Sequence, residues 1–151
     1  MNPDFKEMLS VFSEEGAEYL LVGAYALAVY GVPRATGDLD LWLKRSEENA
    51  RRVWRALARF GAPLGNLDPE DLASAGTVFQ IGVSPNRIDL LVTLDGVQFD
   101  EAWPERVNVD IEGTRVSVIS RRHLIQNKRT VGRPQDLADV ARLEETGSST
   151  S

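Results

Sequence analysis

Three aspartates set the chemistry open to this chain. Asp38 and Asp40 stand two residues apart in the run Asp38-Leu39-Asp40-Leu41-Trp42, and Asp89 stands in Arg87-Ile88-Asp89-Leu90-Leu91-Val92. Both runs are otherwise apolar and read as buried strands, in which side chains at i and i+2 share a face. Two ionised carboxylates on one such face repel each other and lose hydration, so a positive charge is expected between them. A divalent metal is the natural candidate, with Asp89, a single carboxylate in a second apolar strand, as the natural third ligand. The plainer alternatives are that Asp38 caps a turn with Asp40 exposed, and that Asp89 is ion-paired with Arg87 on the same strand face.

Ahead of the first pair, residues 19–31 read as a short apolar strand, a turn opened by Gly23 and a small-residue helix ending at Gly31. A strand, a tight turn and a helix N-terminus in that order present backbone N–H groups to an anion. A phosphate cradle followed by a two-aspartate strand points to phosphoryl or nucleotidyl transfer. Taken alone, Gly23 reads equally as a turn glycine.

These residues resemble the nucleotidyltransferase superfamily related to DNA polymerase beta, whose signature is hG[G/S], a spacer, then Dh[D/E]h. Here it stands as Val22-Gly23-Ala24, then Asp38-Leu39-Asp40-Leu41. The chain is similar in particular to the small bacterial nucleotidyltransferases of the AbiEii toxin type and their stand-alone relatives, with ALxxxGxxRxTxDxDxW and a later NKxxxGRxxDxxD. Ala26-Leu27, Gly31, Arg34, Thr36, Asp38, Asp40 and Trp42 carry the first pattern, and Asn127-Lys128, Gly132-Arg133, Asp136 and Asp139 the second. Ala24 departs from it, standing where that family has Gly or Ser. Its Cβ restricts φ and the approach of a triphosphate but leaves the amide donors, which implies weaker or altered nucleotide binding.

The resemblance implies an α+β, minimal nucleotidyltransferase fold, a mixed twisted sheet with helices packed mainly on one face. It further implies Mg²⁺-dependent transfer of a nucleoside monophosphate from an NTP to a hydroxyl, with two ions for which Mn²⁺ substitutes. Asp38 and Asp40 bridge the ions, Asp89 holds the second, and the nucleotide set is Gly23, Ala24, Arg34, Thr36 and Lys128. The acceptor is an RNA or tRNA end, a protein or a small molecule, and the setting a toxin–antitoxin or abortive-infection system with a cognate partner protein. The other reading is a catalytically weak nucleotide-binding or partner-binding module that keeps the fold. Lys128 also reads as a helix-terminal lysine opposing the dipole, Asp136 as an aspartate at the start of the next helix, and Arg34 as a tie within its own loop.

Composition bounds the rest. With 151 residues, 42% of them hydrophobic, the expectation is one domain over residues 1–145 and a disordered tail over 146–151. The absence of cysteine removes disulfides and thiolate zinc ligands, and no apolar run reaches membrane-spanning length, so a soluble, cytosolic protein is expected. A net charge of −6 argues against binding nucleic acid over the whole surface. Yet residues 114–134 hold no acidic residue while carrying Arg115, Arg121, Arg122, Lys128, Arg129 and Arg133. That segment reads as a clamp for a triphosphate or nucleic-acid acceptor, or as a solvated helix face.

The elements that must position these residues follow from caps and periodicity. Helices are expected over 3–12 behind Asn2-Pro3, over 47–60 between Ser46 and Gly61, from Ser120 to about 127, and from Pro134 to near 145. Val53, Trp54, Leu57 and Phe60 form the expected buried stripe of the second. Asp68-Pro69-Glu70-Asp71 reads as the capped start of a short helix. Hairpins are expected over 77–83 with 87–93, and over 107–111 with 114–119 about Glu112-Gly113. His123, the single histidine, reads as a surface or half-buried helix residue without a nucleophile or acid beside it. Trp42, Trp54 and Trp103 read as core rather than as stacking platforms.

Overall fold

The structure, a computed structural model, describes residues 1–33, 37–83 and 86–149. Among them, α1 (Pro3–Glu14), β1 (Tyr19–Val22), α2 (Gly23–Val29), β2 (Leu39–Leu43) and α3 (Glu47–Phe60) form the first half. A 3-10 turn over Pro69–Ala73 leads to β3 (Val78–Ile81), β4 (Ile88–Leu91) and α4 (Phe99–Ala102). A second 3-10 turn, Trp103–Glu105, precedes β5 (Val107–Ile111), β6 (Thr114–Val118), α5 (Arg121–Val131) and α6 (Pro134–Ser149). The strands make one mixed sheet in the order β3-β4-β2-β1-β6-β5, an α+β architecture. β1 runs antiparallel to β2 and parallel to β6, and β2 runs parallel to β4.

Local chemistry accounts for most boundaries. The Asn2 side chain accepts from the Asp4 amide at 2.7 Å with Pro3 at the first helical position. Ser46 Oγ accepts from the Asn49 amide at 3.1 Å, and Gly61 closes α3 in the left-handed conformation. At the β5–β6 turn, Glu112 and Gly113 have φ of 49° and 89°, the paired positive values of a type I′ hairpin. Val53 and Leu57 of α3 are fully buried, with Trp54 and Phe60 half-buried beside them; Ala50, Ala56 and Asn49 complete the inner face.

Four boundaries or elements differ from expectation. α5 runs on to Val131, because Gly132 supplies the left-handed cap with its amide on the Lys128 carbonyl at 2.9 Å. α6 continues past residue 145 to Ser149, with Arg121 Nη1 donating to the Leu143 carbonyl at 2.8 Å and to Thr146 Oγ1 at 2.6 Å. The segment after Asp68 is a 3-10 turn, its Asp68 amide donating to Asp71 Oδ2 at 2.9 Å. α4 and the turn after it carried no sequence signal; Phe99 is held edge-on to Trp42 at 5.1 Å and stacked on Trp103 at 5.5 Å. Among the described residues, no helix is long and apolar enough to cross a membrane.

The register separates the faces of the central strands. Leu20 faces Trp42 and Val22 faces Asp40 across the β1–β2 ladder, so these four share one side. Tyr19, Leu21, Leu39, Leu41 and Leu43 occupy the other, where Phe12 of α1 meets Tyr19 edge-on at 5.6 Å. Asn49 staples this arrangement from inside α3. Its Oδ1 accepts from the Glu18 amide at 2.7 Å, and its Nδ2 donates to the Glu18 and Lys44 carbonyls, each at 2.9 Å. One buried side chain thus joins the entrance of β1 to the exit of β2.

Replacing Asn49 with Ala strands three backbone groups that water reaches poorly, so Asn49→Ala is expected to lower unfolding free energy by about 3 kcal/mol. Urea unfolding of the two proteins measures this directly, and a change below about 1 kcal/mol would refute the staple.

Candidate active site

Asp40 and Asp89 face each other directly across the parallel β2–β4 ladder. Asp38 precedes β2, two residues from Asp40. The three carboxylates thus gather at one end of two adjacent strands, as the aspartate pattern requires. Their separation from water differs little: the Asp38 and Asp89 side chains are 17% and 10% exposed.

Arg87 binds two of the three. Its Nε donates to Asp89 Oδ1 at 2.8 Å and its Nη2 to Asp89 Oδ2 at 3.2 Å, a bidentate fork. The same Nη2 lies 3.5 Å from Asp38 Oδ2, while the Arg87 amide donates to Asp38 Oδ1 at 3.1 Å. The ion pair weighed as an alternative for Asp89 is therefore present, and it extends to Asp38. These carboxylates hold the guanidinium pKa above its ordinary value, the Asp89 hydrogen bonds contributing most.

Asp40 bears the consequence. Burial first, then the charge and hydrogen bond of Asp89, then the charge of Asp38 push its carboxyl up to about 7, with Arg87 opposing. Asp40 also explains Gly23. That residue has φ of +69°, and a Cβ built on it would lie 2.2 Å from Asp40 Oδ2. No side chain larger than hydrogen fits between turn and carboxylate. Ala24, by contrast, lies within α2 and outside the positive-φ positions, so its Cβ imposes no backbone strain.

A cavity of about 460 Å³ opens beside Asp40, a size suited to a small-molecule ligand. Gly23, Ala24 and Asp40 line it together with Lys128, Arg133 and Asp136. The lining part of α5 is fastened by contacts distant in sequence. Asn127 Nδ2 donates to the Asp95 carbonyl at 3.0 Å and Gln126 Nε2 to the Gly96 carbonyl at 2.6 Å, tying α5 to the loop after β4. Tyr30 Oη donates to the Ile119 carbonyl at 2.6 Å, and Arg121 lies over the Tyr30 ring at 4.8 Å, fixing α2 against the start of α5.

Lys128 reaches the cavity but is already paired, its Nζ 3.1 Å from Asp139 Oδ2 and 3.6 Å from Asp136 Oδ1. Asp136 is buried and also takes a bidentate hydrogen bond from Arg133, at 2.7 and 3.3 Å, which with Lys128 holds its carboxyl below the usual range. Elsewhere the basic segment meets acidic partners: Arg122 pairs with Glu105, and Arg129 with Glu144 at 3.0 Å. Of its six basic residues, Lys128 and Arg133 line the cavity.

Arg34 and Thr36 lie outside the described residues. His123 differs from its sequence reading: it is 2% exposed, with Nδ1 3.0 Å from Ser120 Oγ, although it does not line the cavity. Helical spacing in a strongly polar stretch gave no sign of that burial. Arg87, the residue that organises the carboxylates, appeared in the sequence only as an alternative partner for Asp89.

The donor set fits a hard divalent cation, for it consists of carboxylates with a cation already drawn to them. As they stand, no three His, Cys, Asp or Glu side chains among the described residues are grouped so as to hold a metal ion.

Two outcomes follow. Since the folded-state pKa of Asp40 is raised, the native protein retains a proton that the unfolded chain has lost between about pH 4 and pH 7. The Asp40 contribution to stability, read as the difference between wild type and Asp40→Asn in thermal melts with a chelator present, should be fully present below that window, fall as pH rises through it, and level off above. Gly23→Ala should destabilise the fold by at least about 1 kcal/mol, from the left-handed backbone and the clash with Asp40, measured by urea unfolding.

No protein-family model and no curated protein sequence matches the chain. Among solved structures it is similar to the crystal structure of a candidate nucleotidyltransferase from Thermotoga maritima. The TM-score is 0.63 at 13% identity, over 93% of this chain and 90% of that one. At that identity the likeness is one of fold, and the α+β architecture of this chain is nucleotidyltransferase-like.

Proposed function

We propose that this protein is a nucleotidyltransferase, moving a nucleoside monophosphate from an NTP to a hydroxyl acceptor with the help of Mg²⁺. One observation carries the reading: Asp40, which lines a ligand-sized cavity, abuts Asp89 across paired strands, with Asp38 two residues away. Three carboxylates so placed oppose one another at neutral pH, a cost that a structural role alone does not explain.

Asp38 and Asp40 would hold two ions and Asp89 the second of them. When bound, these supply charge neutralisation on the triphosphate and lower the pKa of the attacking hydroxyl. The acceptor oxygen bonds to the α-phosphorus, the bridge to the β-phosphate breaks, and pyrophosphate leaves. The Gly23 turn lines the cavity, and the absence of a side chain there leaves room for the Asp40 carboxylate. Ala24 lines the same wall, and Lys128, exchanging a carboxylate partner for a phosphate, would grip the triphosphate from α5. Catalysis rests mainly on positioning and charge. The resemblance to the AbiEii type supports a hydroxyl on RNA or protein as acceptor, and a toxin–antitoxin setting in the cytosol.

A second reading has one observation in its favour. Arg87 already satisfies Asp38 and Asp89, as it would in a nucleotide-binding or partner-binding module with little catalysis.

Transfer of label from each α-labelled NTP, with Mg²⁺ or Mn²⁺, into fractionated cellular RNA and protein decides between them. The wild type should label one fraction, and Asp38→Asn or Asp40→Asn should reduce that by at least about a hundredfold while the thermal melt stays cooperative. Equal labelling by both variants would overturn the two-metal reading.

A further inference from the structure

The position of Arg87 carries a consequence beyond the assignment of the three aspartates, and it rests on the metal-dependent reading of that site. The guanidinium makes a two-pronged contact with Asp89 and reaches Asp38, yet its side chain is 32% exposed, against 10% and 17% for the carboxylates it binds. It therefore sits on the solvent side of the cluster. Its backbone is pinned from both directions: the Arg87 amide donates to Asp38 Oδ1 at 3.1 Å and its carbonyl accepts from the Leu39 amide at 2.9 Å. The side chain can leave by rotation about its own bonds while β2 and β4 stay paired.

We propose that Arg87 is a tethered counter-ion that occupies the carboxylate cluster in the absence of metal, so that a divalent cation binds only by displacing its guanidinium from Asp89 and Asp38. Three physical points support this. The fork uses both oxygens of Asp89, the lone pairs that a metal requires. A guanidinium carries one positive charge and a divalent ion two, so the ion gains more from the same carboxylate oxygens. Asp40 stands directly across the ladder from Asp89, so freeing Asp89 from the fork leaves both carboxylates to one ion. The device keeps the strand ends together without metal and sets a threshold for loading. Once displaced, the guanidinium stands at the rim of the carboxylates, where a phosphate-bearing substrate is its natural new partner.

Titration of the full-length protein with Mn²⁺ alone, followed by the electron paramagnetic resonance signal of the free ion, tests this without turnover. Arg87→Gln should bind Mn²⁺ about tenfold or more tightly than the wild type, and Arg87→Lys, which keeps the charge but loses the fork, should fall between them. The metal-free melting temperature of Arg87→Gln should drop and its rise on adding Mn²⁺ should exceed that of the wild type. Equal or weaker Mn²⁺ binding by Arg87→Gln, with Asp40→Asn abolishing binding, would overturn the counter-ion and leave the metal site standing. No Mn²⁺ binding by wild type and Arg87→Gln alike would overturn both. If Arg87→Gln does not fold, Arg87→Lys decides: tighter binding than wild type supports the proposal, and equal or weaker binding overturns it.

Discussion

The rest of this structure depends on the repulsion between Asp40 and Asp89. Paired directly across parallel strands and withdrawn from water, two carboxylates cannot both be ionised at neutral pH without a cation between or beside them. Each neighbouring feature answers that constraint. Arg87 neutralises Asp89 and reaches Asp38, while Asp40, lacking such a partner, titrates near neutrality. Gly23 gives the Asp40 carboxylate the volume that any Cβ would take. That carboxylate geometry is the link between the fold and the chemistry proposed for it.

The scaffold keeps the charges in place by making the opposite face of the sheet apolar. α1 and α3 cover Tyr19, Leu21, Leu39, Leu41 and Leu43, and Asn49 stitches α3 to both ends of the β1–β2 pair. Burial on that side holds β2 in a register that aims Asp40 away from the core. A slip of one residue would exchange it with Leu39 or Leu41, which apolar burial forbids. Packing energy thus enforces an arrangement that electrostatics alone opposes.

The cavity has a second charged cluster, and its balance differs. Lys128 lies between Asp136 and Asp139, and Arg133 forks onto Asp136, so positive and negative groups are matched. On the strand side Arg87 forks onto Asp89 and reaches Asp38, while the α6 carboxylates Asp136 and Asp139 share Lys128 and Arg133.

Much of this was legible in the chain as written, because it depends on neighbours in sequence. Asn2-Pro3 and Ser46 mark helix starts, Gly61 marks an end, and Glu112-Gly113 marks a tight hairpin, through hydrogen bonds and φ preferences only a few residues in range. The aspartates betrayed themselves as charges in apolar strands, and two-residue alternation put Asp38 with Asp40 and Arg87 with Asp89. What only the tertiary structure decided are the relations between segments far apart: which strand lies beside β2, so that Asp89 meets Asp40; that Arg87 also reaches Asp38; that Asn127 and Gln126 tie α5 to the loop after β4 and Tyr30 ties α2 to the start of α5; and that His123 and Asp136 are buried despite polar surroundings in sequence. Periodicity reports which face of an element is apolar, but not what packs against it, and the partner of a buried charge is chosen by that packing.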